Sequence, residues 1–353
     1  MRKLDRYIAR NVLGAMLVVM VGLVLLESLF AFLAQLEDLR ASYGVADALL
    51  YVVLLIPKKM YEFIPVAALI GCLAGLGSMA SNSELVVMRA AGVSLWRMVG
   101  AAMRPALVLV LIGVVIGEYI GPSSEQTAET RRTVARSSEG TYTGEGFWHR
   151  EGNEYMYFNA VEPTNGIIYG VSLFRFDDSM RLTSSAYARR GVYQGDHWLL
   201  EDLKRSYFID GRFETVEKKV ERWDTNLTTT LLKVVLVKPE GLSISGLITY
   251  IRYLRHQGLE TGEYDLALWT KVLQPLTIFS LMLVGIAFVF GPLRSVSMGL
   301  RIFTGVITGV VFMLVQKLLG PSSLVFGFFP ILSVLLPALV CLVIGAVFLK
   351  RAA

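Results

Sequence analysis

Long apolar runs dominate the pattern along the chain, and six of them are long enough to cross a bilayer. A membrane-spanning helix needs about 20 mainly apolar residues. The first run is too long for the core of a signal peptide and lacks a small-residue cleavage site, so we expect it to be retained. The six predicted spans cover residues 12–36, 49–77, 98–120, 266–290, 298–319 and 330–349.

A different pattern separates the third and fourth spans. From about 141 to 237, short runs rich in Tyr, Phe, Val, Ile and Thr are interrupted by turn residues. This pattern predicts an antiparallel β domain, jellyroll-like, inserted between helices 3 and 4 of a six-helix membrane protein. Leu173, Phe174 and Phe176 place apolar groups on both faces of one strand. Two packed sheets, or one sheet with an apolar cavity, would both explain them.

Two further segments have helical periodicity. Residues 243–258 repeat apolar side chains at helical spacing and predict an amphipathic helix at the membrane surface. Residues 81–92 predict a short helix, which Ser81 or Ser83 could cap and in which Glu84 occupies the first turn. Its apolar Leu85, Val86, Val87 and Met88 would fit either a groove on a soluble partner or the inner membrane surface.

These patterns divide the chain into three parts. Residues 1–121 are predicted to contain spans one to three, with the short helix near 81–92. Residues 122–262 are predicted to form the external β domain and its closing amphipathic helix. Residues 263–353 are predicted to contain spans four to six.

Composition and charge support a membrane protein and give its orientation. The chain is 54% hydrophobic and 18% charged, with a mean hydropathy of +0.55 and a formal net charge of +5. A soluble domain carries about a quarter charged residues. The positive charge belongs to the apolar parts, so the chain is not expected to bind nucleic acid. The positive-inside rule places both termini in the cytoplasm, because the basic residues flank one set of span ends: Arg2, Lys3, Arg6, Arg10, Arg89, Arg97, Arg294, Arg301, Lys350 and Arg351.

Motifs for independent chemistry are absent from the sequence. It contains no G-x-x-x-x-G-K-[ST], no H-E-x-x-H and no G-x-S-x-G. We therefore expect no catalytic residue, no metal site and no cofactor in this chain. Any work that it performs must be driven by a partner or by an ion gradient.

Ionisable residues within the spans mark a candidate site, because such groups are costly in lipid. Measured along the spans, all of them lie in the outer half of the bilayer or near its midplane. This placement favours a polar vestibule that opens toward the outer leaflet. Lys271 and Lys317 could instead extend to the membrane surface. Lys58 could pair with Glu62, which would leave Lys59 for a ligand. The predicted vestibule residues are Lys58, Lys59, Glu62, Glu27, Lys271 and Lys317.

Glycine patterns give two more expectations. Pairs spaced four apart predict close helix contacts: Gly71/Gly75, Gly113/Gly117/Gly121 and Gly305/Gly309. Two Gly-Pro-Ser-Ser sequences, at 121–124 and 320–323, are interpreted as helix terminators.

Four short stretches resemble the LptF/LptG permease family of the lipopolysaccharide exporter, most closely its LptG branch. They are Leu-Asp-Arg-Tyr at 4–7, Ser-Glu-Leu-Val-Val-Met at 83–88, Leu-Ser-Ile-Ser-Gly-Leu at 242–247, and Phe-Gly-Pro-Leu-Arg-Ser-Val at 290–296 with Met-Gly at 298–299. Lys58 matches a basic position of the family. Span one departs from the family pattern, because Glu27, Ala31, Glu37 and Asp38 stand where members often carry basic residues.

The resemblance implies an ATP-driven exporter subunit in a Gram-negative inner membrane, with its β-jellyroll in the periplasm. It implies an LptF heterodimer partner, an LptB ATPase dimer that binds ATP and magnesium, an LptC partner, and lipopolysaccharide as substrate within membrane lipid. It also implies that the short helix couples to the ATPase through Glu84, Leu85, Met88 and Arg89.

Two alternatives stay open from the residues alone. A non-transporting sensor or mechanotransmitting subunit with an external ligand-binding domain would need a cytoplasmic partner, but no vestibule. An ion-coupled transporter would need polar groups across the whole bilayer, and the inner half has none of the ionisable residues named above.

Overall fold

The computed structural model describes residues 2–37, 39, 43–137, 147–162, 166–209, 212–227, 239–256, 258–291 and 296–352. Within this part, five single helices are long and apolar enough to span a membrane. A further pair, α7 and α8, bends by 52° and makes a sixth span if counted as one. The described helices are α1 Arg2–Leu36, α2 Val45–Ser81, α3 Glu84–Ala90, α4 Leu95–Val115, α5 Gly121–Ser137, α6 Ile244–His256, α7 Gly262–Val272, α8 Gln274–Phe290, α9 Met298–Phe326 and α10 Pro330–Ala352.

Helix α2 lies at the centre of the helical part and packs against α1, α8, α9 and α5. Its glycines permit this packing. A Cβ on Gly71 would lie 2.4 Å from the Cα of Met16, and one on Gly75 would lie 2.9 Å from the Cα of Val12. Both distances are shorter than any real Cβ contact, so only glycine lets α1 and α2 approach this closely. The predicted small-residue contacts are therefore confirmed for this pair.

The interpretation of the two Gly-Pro-Ser-Ser sequences as helix terminators is wrong. Helix α4 passes through a π-helical turn, Ile116–Ile120, directly into α5, and α9 continues through Pro321 to Phe326. Pro321 removes one N–H donor from the helix, and the serines that follow it donate to carbonyls of the preceding turn. Ser322 donates to the Leu318 carbonyl at 2.6 Å, and Ser323 donates to the Gly320 carbonyl at 2.6 Å.

The continuation into α5 also changes a predicted boundary. The stretch from 122 to 137 was assigned to the β domain, but it prolongs the helix of span three. It packs beside the N-terminal half of α2, where Tyr51, Val52 and Ala128 form a small buried cluster. The third span and its extension thus lead from the helical bundle to the sheet.

The external domain is an antiparallel sheet of six described strands in sequential order, which confirms a β domain inserted between helices. One face carries a core that includes Phe158, Ile168, Val171, Trp198 and Leu200, all fully buried. Two edge strands, β1 and β6, flank the described sheet. The strands are β1 Phe147–Glu151, β2 Glu154–Glu162, β3 Ile167–Phe176, β4 Leu182–Tyr193, β5 Trp198–Ile209 and β6 Arg212–Trp223.

The alternation of inward and outward side chains changes phase along one line across the sheet. In β5, Leu200 and Leu203 both face the core although they are three residues apart. The residue between the two pleats, Asp202, has φ of +53°, and Gly170 occupies the equivalent place in β3 with φ of +58°. Pairing skips one residue at this line between every pair of strands from β2 to β6.

The apolar residues predicted on both faces of β3 divide between core and surface. Leu173 is buried in the core. Phe174 lies on the opposite face, with its ring 5.8 Å from that of Trp148, and Phe176 lies 5.3 Å from Tyr155. The opposite face therefore carries an aromatic cluster.

The sheet contacts helix α6 through its first strand. The rings of His149 and Tyr253 are stacked at 6.3 Å, and the Tyr253 hydroxyl lies 3.4 Å from His149 Nε2. Burial lowers the pKa of His149, and the nearby Glu151 carboxylate opposes this shift. Glu151 also accepts hydrogen bonds from Thr225 and from the backbone N–H of Asn226, at 3.2 Å for the latter. His149 thus connects the sheet to α6, and its lowered pKa favours the uncharged ring.

Candidate functional site

A cavity of about 790 Å³ lies between α1, α2, α7, α8, α9 and α10. Its walls bring together the ionisable residues that the sequence singled out from four separate parts of the chain. Their contact with a substrate stays a prediction. The six are Glu27 on α1, Lys58, Lys59 and Glu62 on α2, Lys271 on α7 and Lys317 on α9.

Two lysines of α2 are already paired with carboxylates. Lys58 forms an ion pair with Glu125 of α5, whose side chain is 8% exposed. Lys59 lies 3.0 Å from Glu27 and 3.3 Å from Glu62. The interpretation in which Lys58 pairs with Glu62 and Lys59 is left for a ligand is therefore wrong. Adjacent residues on a helix point about 100° apart, so the two amines reach different neighbours.

Lys271 occupies a different environment. It is 8% exposed, its Nζ lies 3.4 Å from the Gly117 carbonyl oxygen, and it lies 5.3 Å from the centre of the Tyr61 ring. The interpretation in which Lys271 extends to the membrane surface is wrong, because the side chain is enclosed. Among the residues that the structure describes, no carboxylate lies within 4 Å of the amine of Lys271 or of Lys317.

Glu118, an ionisable residue in the π-helical turn that follows α4, binds the start of α6. Its carboxylate accepts hydrogen bonds from the backbone N–H of Ile244 at 2.7 Å, and from the N–H and hydroxyl of Ser245 at 3.2 and 2.7 Å. A carboxylate at a helix N-terminus satisfies unpaired N–H groups and complements the helix dipole. The carboxylate of Glu118 therefore caps the N-terminus of α6.

Sequence reasoning missed several residues that line the cavity. Gln274 donates to the Tyr61 carbonyl at 3.0 Å, which joins α8 to α2 at the cavity wall. Glu240 and Glu263 line the same space. Tyr61 could have been found, since it follows Lys58 by one helical turn. Nothing in the sequence indicates that Glu240 folds back to this place. With these two, four glutamates and four lysines line the cavity, so its formal charge is balanced.

The short helix α3 differs in detail from its prediction. Ser83 has φ of +63° and makes no capping bond through its side chain, and the Ser81 hydroxyl donates to Ser78 instead, so the predicted serine cap is wrong. Glu84 accepts a hydrogen bond from the Tyr7 hydroxyl at 3.0 Å. Arg89 is partly exposed in the last turn.

The apolar residues of α3 point in two directions. Leu85 and Met88 are buried in the core of the helical bundle, so they anchor α3. Little of either side chain is exposed, and their assignment as coupling contacts stays a prediction. Val86 and Val87 are 50% and 64% exposed and form its outward apolar surface.

The N-terminus of α1 holds this end of the bundle together. Asp5 lies 3.0 Å from Arg97 and 3.2 Å from Arg104, both on α4. Together with the bond from Tyr7 to Glu84, these contacts tie α1 to α3 and α4. They come from one of the four stretches that carry the family resemblance.

Comparison with known proteins identifies this architecture. The model of the family described as "Lipopolysaccharide export system permease LptF/LptG" matches residues 6–351. The chain belongs to the LptF/LptG permease family. Among curated relatives, the "Lipopolysaccharide export system permease protein LptG" of Escherichia coli (strain K12) is 37% identical over 340 residues, 95% of this chain and 94% of the relative. The protein of the same name from Haemophilus influenzae is 35% identical over 344 residues, 96% of each chain.

Family membership confirms the resemblance drawn from the four stretches. The LptF/LptG match and the apolar helices make this chain a membrane permease subunit with a β domain between its helices. The assignment as a transporter subunit therefore stands.

Proposed function

We propose that this chain is an LptG-type subunit that moves lipopolysaccharide out of the outer leaflet of a Gram-negative inner membrane. In this proposal both termini lie in the cytoplasm and the sheet lies in the periplasm. An LptF subunit completes the transport path, and LptC receives the lipid. The names of the relatives and the charged cavity of about 790 Å³ support the proposal.

The observation that carries the proposal is the arrangement of charges in the cavity. Lys58 and Lys59 are paired with carboxylates and hold α2 against α5 and α1. Lys271 is enclosed, its amine lies beside a carbonyl and an aromatic ring, and no carboxylate of the described residues lies within 4 Å of it. Glu118, Glu125 and Glu240 act on the amine only from greater distances, so a phosphate would give it a charged partner in direct contact. We therefore assign phosphate binding to Lys271 and the exposed Lys317, and a structural role to Lys58 and Lys59.

Energy for transport would come from an LptB ATPase dimer on the cytoplasmic side. Helix α3 supports this assignment, because Val86 and Val87 present apolar surface at its outer side. Glu84 is held by Tyr7 and adds a fixed negative charge beside them. Movement of α3 would reach the bundle core through the buried Leu85.

The external sheet would carry the lipid onward. Its core face is filled by its own side chains, since Phe158, Ile168 and Trp198 are fully buried. Acyl chains can enter this face only if the sheet opens. We therefore expect opening to accompany the ATP cycle.

Site-specific photo-crosslinking tests the proposal. A photoreactive residue at Thr270 lies on the cavity wall, whereas one at Val272 lies on the same helix outside the cavity. We expect lipopolysaccharide to be captured at Thr270 in the purified complex and not at Val272. A Lys271→Gln change should reduce capture at Thr270. Equal capture at both positions, or none at either, would contradict a transport cavity here and favour a sensor that does not transport.

A further inference from the structure

A second cavity, of about 640 Å³, lies between α6 and α7. Its floor is apolar and includes Ile248, Leu268 and Trp269. Its rim carries Arg252, Arg255 and His256 from the last turns of α6. Arg255 and His256 follow Arg252 by three and four residues, so both lie on the side of the helix that Arg252 occupies. We call this cavity the α6–α7 groove.

The groove is separate from the transport cavity. Helix α7 contributes Asp265, Leu268 and Trp269 to the groove, and it contributes Leu266, Ala267, Thr270 and Lys271 to the transport cavity. At about 100° per residue, these two sets lie on opposite sides of the helix. None of the residues that the structure describes lines both cavities. A ligand in the groove would therefore contact the outside of the transport path.

The charges of the groove are unequal. Arg255 lies 3.2 Å from Asp265, which also accepts a hydrogen bond from Thr261 at 2.6 Å. This pair joins α6 to α7. Within the described residues, Arg252 has no acidic partner within 4 Å, and its side chain is exposed. The groove thus offers one free guanidinium above an apolar floor, with a histidine one turn further on.

The surroundings place this chemistry at a membrane surface. Helix α6 packs Leu247 and Ile251 in one cluster with Ala267 of α7, which joins it to the bent fourth span. Its first turn is bound by Glu118 at the outer end of span three. Trp269 lies at the start of the bent fourth span, and tryptophan is enriched at the level of lipid head groups. Guanidinium groups bind phosphates by two parallel hydrogen bonds.

We propose that the α6–α7 groove binds an anionic glycerophospholipid of the outer leaflet. The phosphate would lie between Arg252 and His256, and the first part of an acyl chain would lie over Ile248 and Trp269. The proposal depends on the proposed orientation of the chain, but not on lipopolysaccharide transport through the other cavity. Its role would be to fix α6, and with it the sheet, at the membrane surface.

Lipid photo-crosslinking in nanodiscs tests this assignment with the complete complex. The nanodiscs consist of phosphatidylcholine with a minor fraction of photoreactive phosphatidylglycerol or, separately, photoreactive phosphatidylcholine. We expect phosphatidylglycerol to be captured on α6 and α7, and capture to fall in high salt. One Arg near an anionic surface contributes on the order of fivefold in binding. Capture should therefore fall about fivefold in Arg252→Gln. Arg189→Gln, an exposed arginine on β4, serves as the control.

Four outcomes would overturn the proposal. Equal capture of phosphatidylcholine would show an apolar groove only, and undiminished capture in Arg252→Gln would remove the phosphate contact. If lipopolysaccharide at the same concentration as phosphatidylglycerol reduced its capture, the groove would be a contact for the transported lipid. Absence of capture of either lipid in the complete complex would show that the groove takes up no lipid there. Capture of lipopolysaccharide at Thr270 is measured in the same samples, so a misfolded variant is recognised and the two proposals fail independently.

Discussion

Removing Lys58 should destabilise the chain, because the lysine neutralises a carboxylate that is almost fully enclosed. Glu125 is 8% exposed in its side chain, and its Oε2 has no hydrogen-bond partner among the described residues. Breaking a buried ion pair from one side typically costs about 3–5 kcal/mol. Lys58 is 21% exposed toward the cavity, so water can reach part of the site. We therefore expect Lys58→Met to lower the free energy of unfolding by about 3 kcal/mol.

A double-mutant cycle tests this magnitude. The variants are Lys58→Met, Glu125→Leu and the combination, each measured by denaturant unfolding of the purified protein in lipid–detergent micelles. Because two apolar residues leave no unpaired charge, the double variant should regain most of the lost stability. Lys317→Met is the matched control, since this exposed lysine has no ion pair in the described structure, and it should change stability by less than about 0.5 kcal/mol.

Additive effects of the two single substitutions would refute the reasoning. So would equal losses in Lys58→Met and Lys317→Met. A stable Lys58→Met that loses only lipopolysaccharide capture would instead restore Lys58 as a substrate contact. That result would also move the assignment of phosphate binding away from Lys271.

Three other outcomes are expected. Gly71→Ala should disrupt the contact of α2 with α1 and cost at least about 1–3 kcal/mol, measured by the same unfolding assay, because the new methyl group would lie 2.4 Å from the Met16 backbone. The folded state that joins the sheet to α6 should lose stability as the pH drops below 6.5, measured by unfolding at a series of pH values. Burial lowers the pKa of His149, so the unfolded chain binds the proton at a higher pH than the folded chain does. Val87→Asp should reduce co-purification of the ATPase, because it places a charge on the exposed apolar side of α3.

Each of these has a matched control. Gly14→Ala adds a methyl group on α1 with nothing within 4 Å, and it should be tolerated. His149→Gln should flatten the pH profile, and an unchanged profile would assign the dependence to another group. Ala substitution of the buried Leu85 should lower stability together with ATPase binding, whereas Val87→Asp should lower binding alone. Full co-purification with Val87→Asp would exclude this face as the docking surface.

The spans and the β domain could be predicted from the sequence because each depends on a local pattern. Helical runs of apolar residues and the Gly71/Gly75 spacing both act over a few turns. The pairing of the lysines could not be predicted, because Lys58 meets Glu125 across 67 positions of sequence. The helix terminators were predicted wrongly for a related reason. Helix α9 continues through Pro321, and the serines that follow it donate to carbonyls of the preceding turn, which the Gly-Pro pair alone does not indicate.

For the candidate site too, local sequence patterns identified the residues but not their contacts with distant parts of the chain. Its ionisable members were found because charges within apolar runs are conspicuous in any sequence. Their partition into paired and unpaired lysines depends on α5, which sequence reasoning had assigned to the β domain. The direction of Leu85 and Met88 was missed because a helix of seven residues gives too little periodicity to separate its faces.

The change of phase across the sheet has a practical consequence for labelling. In β5 the core-facing positions are even-numbered at Trp198 and Leu200, but odd-numbered at Leu203 and Arg205. A cysteine scan that assumes one parity along the strand would assign inside and outside in reverse for half of it. Deleting Asp202 would restore a single parity along β5, but it would leave β5 one residue shorter than its neighbours at this line. Probes of the inner surface must therefore be numbered separately on the two sides of this line.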